Sequence, residues 1–556
     1  MKKIEKLRII PLGGLNEIGK NLTVFECGKD MIAIDCGLAF PDDEMPGVDY
    51  VIPDVQYIVK NKDRFKAIFL THGHEDHIGS LPYLLRQINV PIYGTRLTLG
   101  IVYNKLKEFR LEKSTQLIEV SAGTIVEMGT FTIEFIRVNH SIADATAIAL
   151  HTPCGTLLHM GDFKIDVTPI QGEMIDLTRI GELGKKGVLA LMSDSTNVER
   201  PGFAMSEKKV GDSFRTIFKR AEKQRIIVAT FSSNVHRVQQ IINAAVANKR
   251  KVAISGRSMV TVVEVARQLG YMDIPDNTII DIDQVNKYAP EKTVIVTTGS
   301  QGEPMSALYR MAYSDHKTVE ITSNDLVIIS AAAIPGNEKL VNRVINELFK
   351  SGAEVVHESY AEVHVSGHAC QEELKMILAL AKPKYFIPVH GEYRHLKKHA
   401  MLAHSMGISE NNTIVTDIGN IIEIDSKGAK IVGTVPSGKI LIDGLGVGDV
   451  GNVVLRDRKH LSQDGLIVVV VVVDVSTRTI AADPEILSRG FVYIKENEDL
   501  MSRLKKTSIN AVNKCINEGH EEWIFSAKGR LKEELGKYIY EQTKRKPMIL
   551  PIIKSI

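Results

Sequence analysis

The segment Thr71-His-Gly-His-Glu-Asp-His77 places His72, His74, Asp76 and His77 within six positions. Imidazole and carboxylate are the donors that zinc takes at catalytic sites. At this spacing His72 and His74 can face one ion, and Asp76 and His77 a second. Each ion then needs donors from elsewhere in the chain. His140, Asp162 in His159-Met-Gly-Asp162 and His390 in Pro388-Val-His-Gly391 each stand just past an apolar run that reads as a buried strand. Two metals about 3.5–4 Å apart stabilise both oxygens of an in-line displacement and supply a nucleophilic water at neutral pH, so the set points to hydrolysis.

Donors converge when they stand on the loops that follow strands. Ala67–Leu70 precedes the cluster, Phe131–Val138 precedes His140, Thr156–Met160 precedes Asp162 and Tyr385–Val389 precedes His390; all four read as strands. Residues 1–200 are rich in such runs (Leu7–Leu12, Leu22–Phe25, Met31–Ile34, Thr146–His151, Val188–Met192), with helices expected over His77–Gln87 and Thr98–Phe109. That pattern predicts sheets packed face to face with helices outside. From about 208 to 360, strands (Ile226–Thr230, Val252–Ile254, Val294–Thr297, Leu326–Ile329, Val355–His357) alternate with helical stretches (Val235–Asn248, Val260–Leu269, Pro304–Met311, Glu338–Lys350), which predicts a parallel sheet. Gly444–Gly451 reads as a linker. Beyond it come a strand, Leu466–Val475, and helices over Leu500–Ile516 and Ser526–Thr543. The eight apolar residues Leu466–Val473 are expected to be covered on both faces.

Composition narrows the class. The chain has 556 residues, 44% hydrophobic and 24% charged, which excludes a disordered or low-complexity protein. Sixty-nine Lys and Arg against 67 Asp and Glu leave +2. That argues against coating nucleic acid through bulk charge and leaves room for a local basic groove. The longest apolar run falls far short of the roughly 20 residues that span a bilayer, and no signal-peptide core follows Lys2, Lys3, Lys6 and Arg8. Five scattered cysteines without a Cys-x-x-Cys pair fit reduced thiols in a cytoplasmic protein.

Thr71–His77, the isolated His140, Gly161-Asp162 and the late His390 resemble the metallo-β-lactamase superfamily, as does Asp35 in Ile34-Asp-Cys-Gly37. Ser193-Asp-Ser-Thr-Asn197, His364-Val-Ser-Gly-His368 and Pro388-Val-His-Gly391 are similar to motifs A, B and C of the β-CASP nucleases within it. Gly13-Gly-Leu-Asn-Glu-Ile-Gly19, Phe231-Ser-Ser-Asn-Val-His-Arg237, Thr298-Gly-Ser-Gln-Gly-Glu-Pro304 and Leu455-Arg-Asp-Arg458 resemble the bacterial ribonuclease J family along essentially the whole chain. The resemblance implies an α/β fold. An αββα sandwich (1–207 and 364–445) would carry an inserted parallel-sheet β-CASP domain (208–363), a linker (446–459) and a small α+β C-terminal domain for self-association (460–556).

It also implies two Zn2+ per subunit, with His72, His74 and His140 at one, Asp76, His77 and His390 at the other, and Asp162 bridging. Asp35 would orient the ligand loop and Asp194 a ligand histidine, while His368 would protonate the leaving oxygen or hold the phosphoryl group. Ser232, Ser233 and Asn234, with His364, Val365, Ser366, Gly367 and His368, stand where strands give way to helices; helix N-termini hold phosphate, so these loops are expected to bind the 5′-monophosphate of single-stranded RNA. Gly47, Asp49 and Asp443 match positions where the family carries a structural Ca2+. The implied activity is 5′-to-3′ exonuclease with endonuclease cutting, in mRNA decay and rRNA maturation. The expected partners are RNA, a second copy in a dimer or tetramer, a paralogue, and the decay machinery or ribosome. The alternatives are a small-molecule metallo-hydrolase and a weakly active or non-catalytic RNA-binding subunit.

Overall fold

A computed structural model describes residues 6–334, 337–358, 361–492, 498–518 and 522–556. The chain divides into two compact units, one of residues 1–40 and 51–440, the other of 41–50 and 441–556.

In the first unit two sheets stack face to face. Among the described residues the larger has eight strands, in the order Gly428–Thr434, Asn420–Asp425, Leu7–Gly13, Leu22–Cys27, Asp30–Ile34, Phe65–Phe69, Ile92–Thr95 and Leu117–Val120. The smaller has six, ordered Tyr385–Val389, Val188–Asp194, Gly155–His159, Thr146–Thr152, Phe131–Arg137 and Ile125–Met128. Side chains of alternate residues meet between them: Phe25, Ile32 and Phe69 from one sheet pack with Phe135, Ile148 and Ile387 from the other. Each such buried side chain contributes about 1.5–3 kcal/mol. Helices cover both outer faces. Leu99, Val102 and Leu106 of Arg96–Glu108 pack on the larger sheet, and Ile180 and Leu183 of Leu177–Lys186 with Leu374 and Ile377 of Gln371–Ala381 on the smaller. This is an αββα sandwich.

The chain leaves the smaller sheet after Val188–Asp194 and returns in Tyr385–Val389, which pairs parallel with it and sets Asp194 opposite Val389. Between these two strands, residues 225–356 carry a third sheet. Its six described strands run in the order Ile279–Ile280, Lys251–Ser255, Thr293–Thr297, Arg225–Ala229, Asp325–Ile329 and Glu354–Val356, and every pairing is parallel. Val235–Ala247 and Arg257–Gln268 cover one face, Ala307–Ala312 and Glu338–Lys350 the other.

Three local expectations are corrected. The helix over His77–Gln87 is two short helices, Glu75–Ile78 and Leu81–Leu85. The Ser80 N–H donates to the Cys36 carbonyl and its hydroxyl to the Gly37 carbonyl, so the intervening residues are spent on the neighbouring loop. The glycine-rich stretch is not a bare linker: Lys439–Asp443 and Gly446–Val447 form a hairpin, and a helix follows over Asn452–Asp464. The strand Leu466–Asp474 is covered on one face only.

That strand is central in the second unit, between Thr479–Arg489 and Met548–Ser555. Ile467, Val469, Val471 and Val473 are buried with Leu504, Val512, Leu531 and Leu535 of the helices Glu498–Glu518 and Trp523–Thr543. Leu466, Val468, Val470 and Val472 point the other way and are half-buried. Val468 sits between Leu487 and Leu550, which are 43% and 50% exposed, so this face presents an open apolar row.

Candidate metal centre and substrate loops

Strand polarity brings the expected donors to one sheet edge. Gly155–His159, Val188–Asp194 and Tyr385–Val389 are parallel neighbours, so their carboxyl ends place Asp162, Asp194 and His390 side by side. Phe131–Arg137 runs antiparallel to Thr146–Thr152, itself antiparallel to Gly155–His159, which sets His140 at the same edge. The facing sheet supplies residues 71–77 after Phe65–Phe69. Candidate ligand atoms gather in overlapping groups: His72, His74, His140 and Asp162; then Asp76, His77, Asp162 and His390; then Asp162, Asp194, His368 and His390. Asp162 is common to all three.

The first group is tight. His74 Nδ1 lies 3.1 Å from Nε2 of His72 and 3.1 Å from Nε2 of His140. Asp162 Oδ2 is 3.8 Å from each of those Nε2 atoms. Neighbouring groups turn these nitrogens inward. His140 Nδ1 donates to the Gly367 carbonyl at 2.7 Å, leaving Nε2 as the free base. A Cβ on Gly367 would come within 2.8 Å of the His140 ring, so this approach requires glycine. Burial, with neighbouring imidazoles, holds His72 and His140 well below the ordinary imidazole range. Burial likewise brings His74 down to about 4. All three are neutral donors at pH 7.

In the second group Asp35 accepts from His77 Nδ1 at 2.7 Å, and from the Thr71 N–H at 2.8 Å. His77 Nε2 therefore turns toward Asp162 Oδ2, 3.3 Å away, and Asp76 Oδ2, 3.7 Å away. His390 Nδ1 stands 2.8 Å from Asp162 Oδ1, and its Nε2 stands 3.3 Å from Asp76 Oδ2. Burial is the largest single influence and works against protonating His77 and His390, yet Asp162 together with Asp76 and Asp35 at His77, and with Asp194 and Asp76 at His390, outweighs it and holds both well above the usual value. Asp35, Asp76, Asp162 and Asp194 thus crowd around His77 and His390. Among the described residues, the buried His390 Nε2 has no hydrogen bond of sound geometry. An orphaned imidazole nitrogen among convergent carboxylates fits a divalent cation.

Asp194 and His368 form a pair at the rim, beside Asp162 and His390. His368 Nδ1 is 2.7 Å from Asp194 Oδ2, and the histidine side chain is 23% exposed, against 0–4% for His72, His77, His140 and His390. Asp194 also accepts from the Thr196 hydroxyl at 2.7 Å, and that hydroxyl lies 3.2 Å from the His390 carbonyl. Thr196 carried no expectation, although it stands inside the Ser193–Asn197 segment.

The two substrate loops are also near each other. Asn234 caps Val235–Ala247, its Oδ1 accepting from the Arg237 N–H at 3.0 Å. Arg237 is fully buried and ties the loops together, donating to the Ser330 carbonyl at 2.8 Å and to His364 Nδ1 at 2.9 Å. Asn197 Nδ2 donates to Ser366 Oγ at 2.7 Å and to the His368 carbonyl at 3.0 Å. The side chain of Val365 is buried, so only its backbone is available to a ligand. Ser232 and Ser233 are half-buried at the mouth of the Asn234 cap. Cys370 begins the helix Gln371–Ala381, its N–H donating to Glu373 at 2.8 Å.

Gly47, Asp49 and Asp443 come together around an arginine. The Arg458 guanidinium is ion-paired to Asp443 and donates to the Pro46 carbonyl at 3.1 Å. Asp49 Oδ2 accepts from the Gly444 N–H at 2.7 Å. A Cβ at Gly47 would meet the guanidinium at 2.9 Å. Arg458 thus pairs with one of the two carboxylates expected at a calcium site, while Asp49 is engaged by the Gly444 backbone.

Fold and donor set together define a metal-dependent hydrolase of the metallo-β-lactamase class with a β-CASP insertion. The metallo-β-lactamase superfamily model matches residues 22–169, and a Zn-dependent metallo-hydrolase RNA specificity domain matches 353–415. The ribonuclease J β-CASP domain matches 223–348 and the ribonuclease J C-terminal domain 453–556. Ribonuclease J2 of Bacillus subtilis is 42% identical over 555 residues, covering 100% of both chains. Ribonuclease J 2 of Staphylococcus aureus is 40% identical over 100% of this chain and 99% of that protein. A crystal structure of a protein of unknown function from Enterococcus faecalis shares the fold, with a TM-score of 0.53 at 15% identity over 76% of this chain and 100% of that one. The chain belongs to the ribonuclease J family. Among the described residues no helix is long and apolar enough to cross a membrane.

Proposed function

We propose that the chain is a zinc-dependent ribonuclease that removes nucleotides from the 5′ end of RNA, prefers a 5′-monophosphate, and also cuts internally, in mRNA decay and rRNA maturation. The observation that carries this reading is the junction of Asp162 with three histidines on one side and with Asp76, His77 and His390 on the other. His72, His74 and His140 would hold one Zn2+, Asp76, His77 and His390 a second, with Asp162 shared. Bound zinc supplies Lewis acidity and an ionisable water at neutral pH. Asp35 fixes the tautomer of His77, and the Gly367 carbonyl that of His140. His368, held at Nδ1 by Asp194, presents Nε2 to the 3′-oxygen that leaves phosphorus. Water adds to phosphorus, the P–O3′ bond breaks, and the oxygen takes a proton, leaving a 5′-phosphate and a 3′-hydroxyl.

The loops at Ser232–Asn234 and His364–His368 would seat the terminal phosphate. A seat built from one helix cap and two side chains suits one phosphoryl group and excludes a chain of three. The open apolar row of Val468, Leu487 and Leu550 supports self-association through the C-terminal domain into a dimer or tetramer.

The test is RNA labelled at its 5′ end, carrying monophosphate or triphosphate, with and without chelator. Expected are labelled mononucleotides from the monophosphate, little release from the triphosphate, and none with chelator. Equal release from both ends would remove the end-recognition reading. Cleavage surviving chelation would remove the metal mechanism.

A further inference from the structure

The 5′-phosphate seat contains an arginine that cannot itself reach the phosphate. Arg237 is fully buried, and its guanidinium is spent on four protein partners. Glu207 takes Nε at 2.6 Å and NH2 at 2.8 Å, a two-pronged pair that keeps the charge compensated. NH1 donates to the Ser330 carbonyl at 2.8 Å and lies 2.9 Å from His364 Nδ1, while NH2 lies 3.4 Å from the Val365 carbonyl. A guanidinium can only donate, so Nδ1 of His364 must be the acceptor and carry no proton. The proton of the neutral imidazole is then on Nε2, and His364 Nε2 makes no hydrogen bond among the described residues. The ring is half-buried.

Ser366, two residues on, is set the same way. Its Oγ accepts from Asn197 Nδ2 at 2.7 Å and from the His368 N–H at 3.2 Å. With two donors aimed at its oxygen, its own O–H points elsewhere. Both side chains spend their acceptor ends on the protein and keep donor ends free. A phosphate monoester offers only acceptors at neutral pH, so such a seat is complementary to it and indifferent to ligands that must donate.

We infer that Arg237, anchored by Glu207, is a positioning residue that locks His364 in its Nε2–H tautomer and so makes it a permanent donor to the terminal phosphate of RNA. The inference rests on the end-recognition reading above and adds to it a specific atom and the buried pair that sets it. Burial, with the neighbouring cation, brings His364 down to about 2, in keeping with a ring that stays neutral. The donor therefore does not depend on an imidazolium.

The discriminating pair is His364→Gln and His364→Asn. A glutamine amide nitrogen reaches near the Nε2 position and can donate to phosphate; an asparagine amide ends near Nδ1 and cannot. The measured quantity is the ratio of kcat/KM on 5′-monophosphate RNA to that on 5′-hydroxyl RNA of the same sequence. His364→Asn is expected to reduce this ratio by roughly tenfold or more, and His364→Gln to restore most of it. Alongside, 15N-histidine NMR of the wild-type protein, with His364 assigned by its loss in His364→Gln, should show a pyridine-like Nδ1 and a protonated Nε2. A protonated Nδ1, or equal ratios in the two variants, overturns the inference. A wild-type ratio near one instead overturns the end-recognition reading beneath it, which keeps the two failures apart. In Glu207→Gln/Arg237→Met, which removes the pair without leaving a lone buried carboxylate, the His364 signals should shift toward mixed tautomers. An unchanged Nε2–H form there would also overturn the role given to Arg237.

Discussion

Asp194 and His368, 174 residues apart, meet with Oδ2 and Nδ1 2.7 Å from one another. Asp194 ends a strand of the sandwich and His368 follows the insertion, so the pair exists only once both ends of the insertion are docked. The carboxylate accepts the Nδ1 proton, and an amide in its place would present a donor and favour the wrong tautomer. Asp194→Asn is therefore expected to lower kcat for RNA cleavage by about 10²–10⁴-fold with KM nearly unchanged. Single-turnover kinetics check this, with metal content measured in parallel. Wild-type kcat would show that His368 does not depend on Asp194.

Asp162 belongs to both metal groups, whereas His74 belongs to one. Asp162→Ala is expected to deplete zinc at both positions, and His74→Ala chiefly at one, with cleavage abolished in each. Elemental analysis of the purified variants, beside circular dichroism to establish folding, reads this out. Full zinc content with near-wild-type turnover in either variant would contradict the shared-ligand arrangement.

The open row of Val468, Leu487 and Leu550 in the C-terminal sheet should matter to assembly and not to the fold of the domain. Leu550→Glu puts a charge on a side chain that is already half exposed, so the monomer tolerates it while an apolar interface does not. Light scattering should find a dimer or tetramer for the full chain, a smaller species for Leu550→Glu, and weakened assembly for a chain ending near Gly451, with RNA processing reduced. A monomeric full chain, or an unchanged oligomer in the variants, would refute the assignment.

His399 is buried against Phe386, with Nδ1 3.0 Å from the Ser195 hydroxyl and Nε2 without a hydrogen bond among the described residues. Burial brings its pKa down to about 3, against 6.5 for an exposed imidazole. The folded value is the lower one, so its contribution is complete above pH 6.5. As pH falls from 6.5 toward 3, the unfolded chain binds a proton that the folded chain refuses, and about 1.4 kcal/mol is lost per pH unit. Urea unfolding between pH 6.5 and 4.5 should show a shallower decline for His399→Gln than for wild type, by close to one proton. Parallel curves would mean that the folded protein protonates His399 readily.

The candidate donors were legible because metal-binding chemistry favours histidine and aspartate at strand ends, and His72, His74, Asp76, His77, His140, Asp162 and His390 all carry that mark. Strands such as Arg225–Ala229 and helices such as Glu338–Lys350 were legible too, since each depends on neighbours a few residues away. Other features depended on partners far along the chain. The helix expected over His77–Gln87 breaks because Ser80 bonds the loop at Cys36 and Gly37. Arg458 pairs with Asp443 from a segment whose sequence reads only as a motif. Leu466–Asp474 has the apolar run of a strand covered twice, yet helices reach one face. Hydrogen bonds and tautomers follow the same rule: Arg237 beside His364, or Asn197 beside Ser366, joins residues more than 100 positions apart. The sequence by itself determined which side chains could bind metal and where local elements form, because both follow from residue type and short-range periodicity. Which groups those side chains meet was decided by sheet pairing across the insertion, an interaction between distant segments that no local pattern encodes.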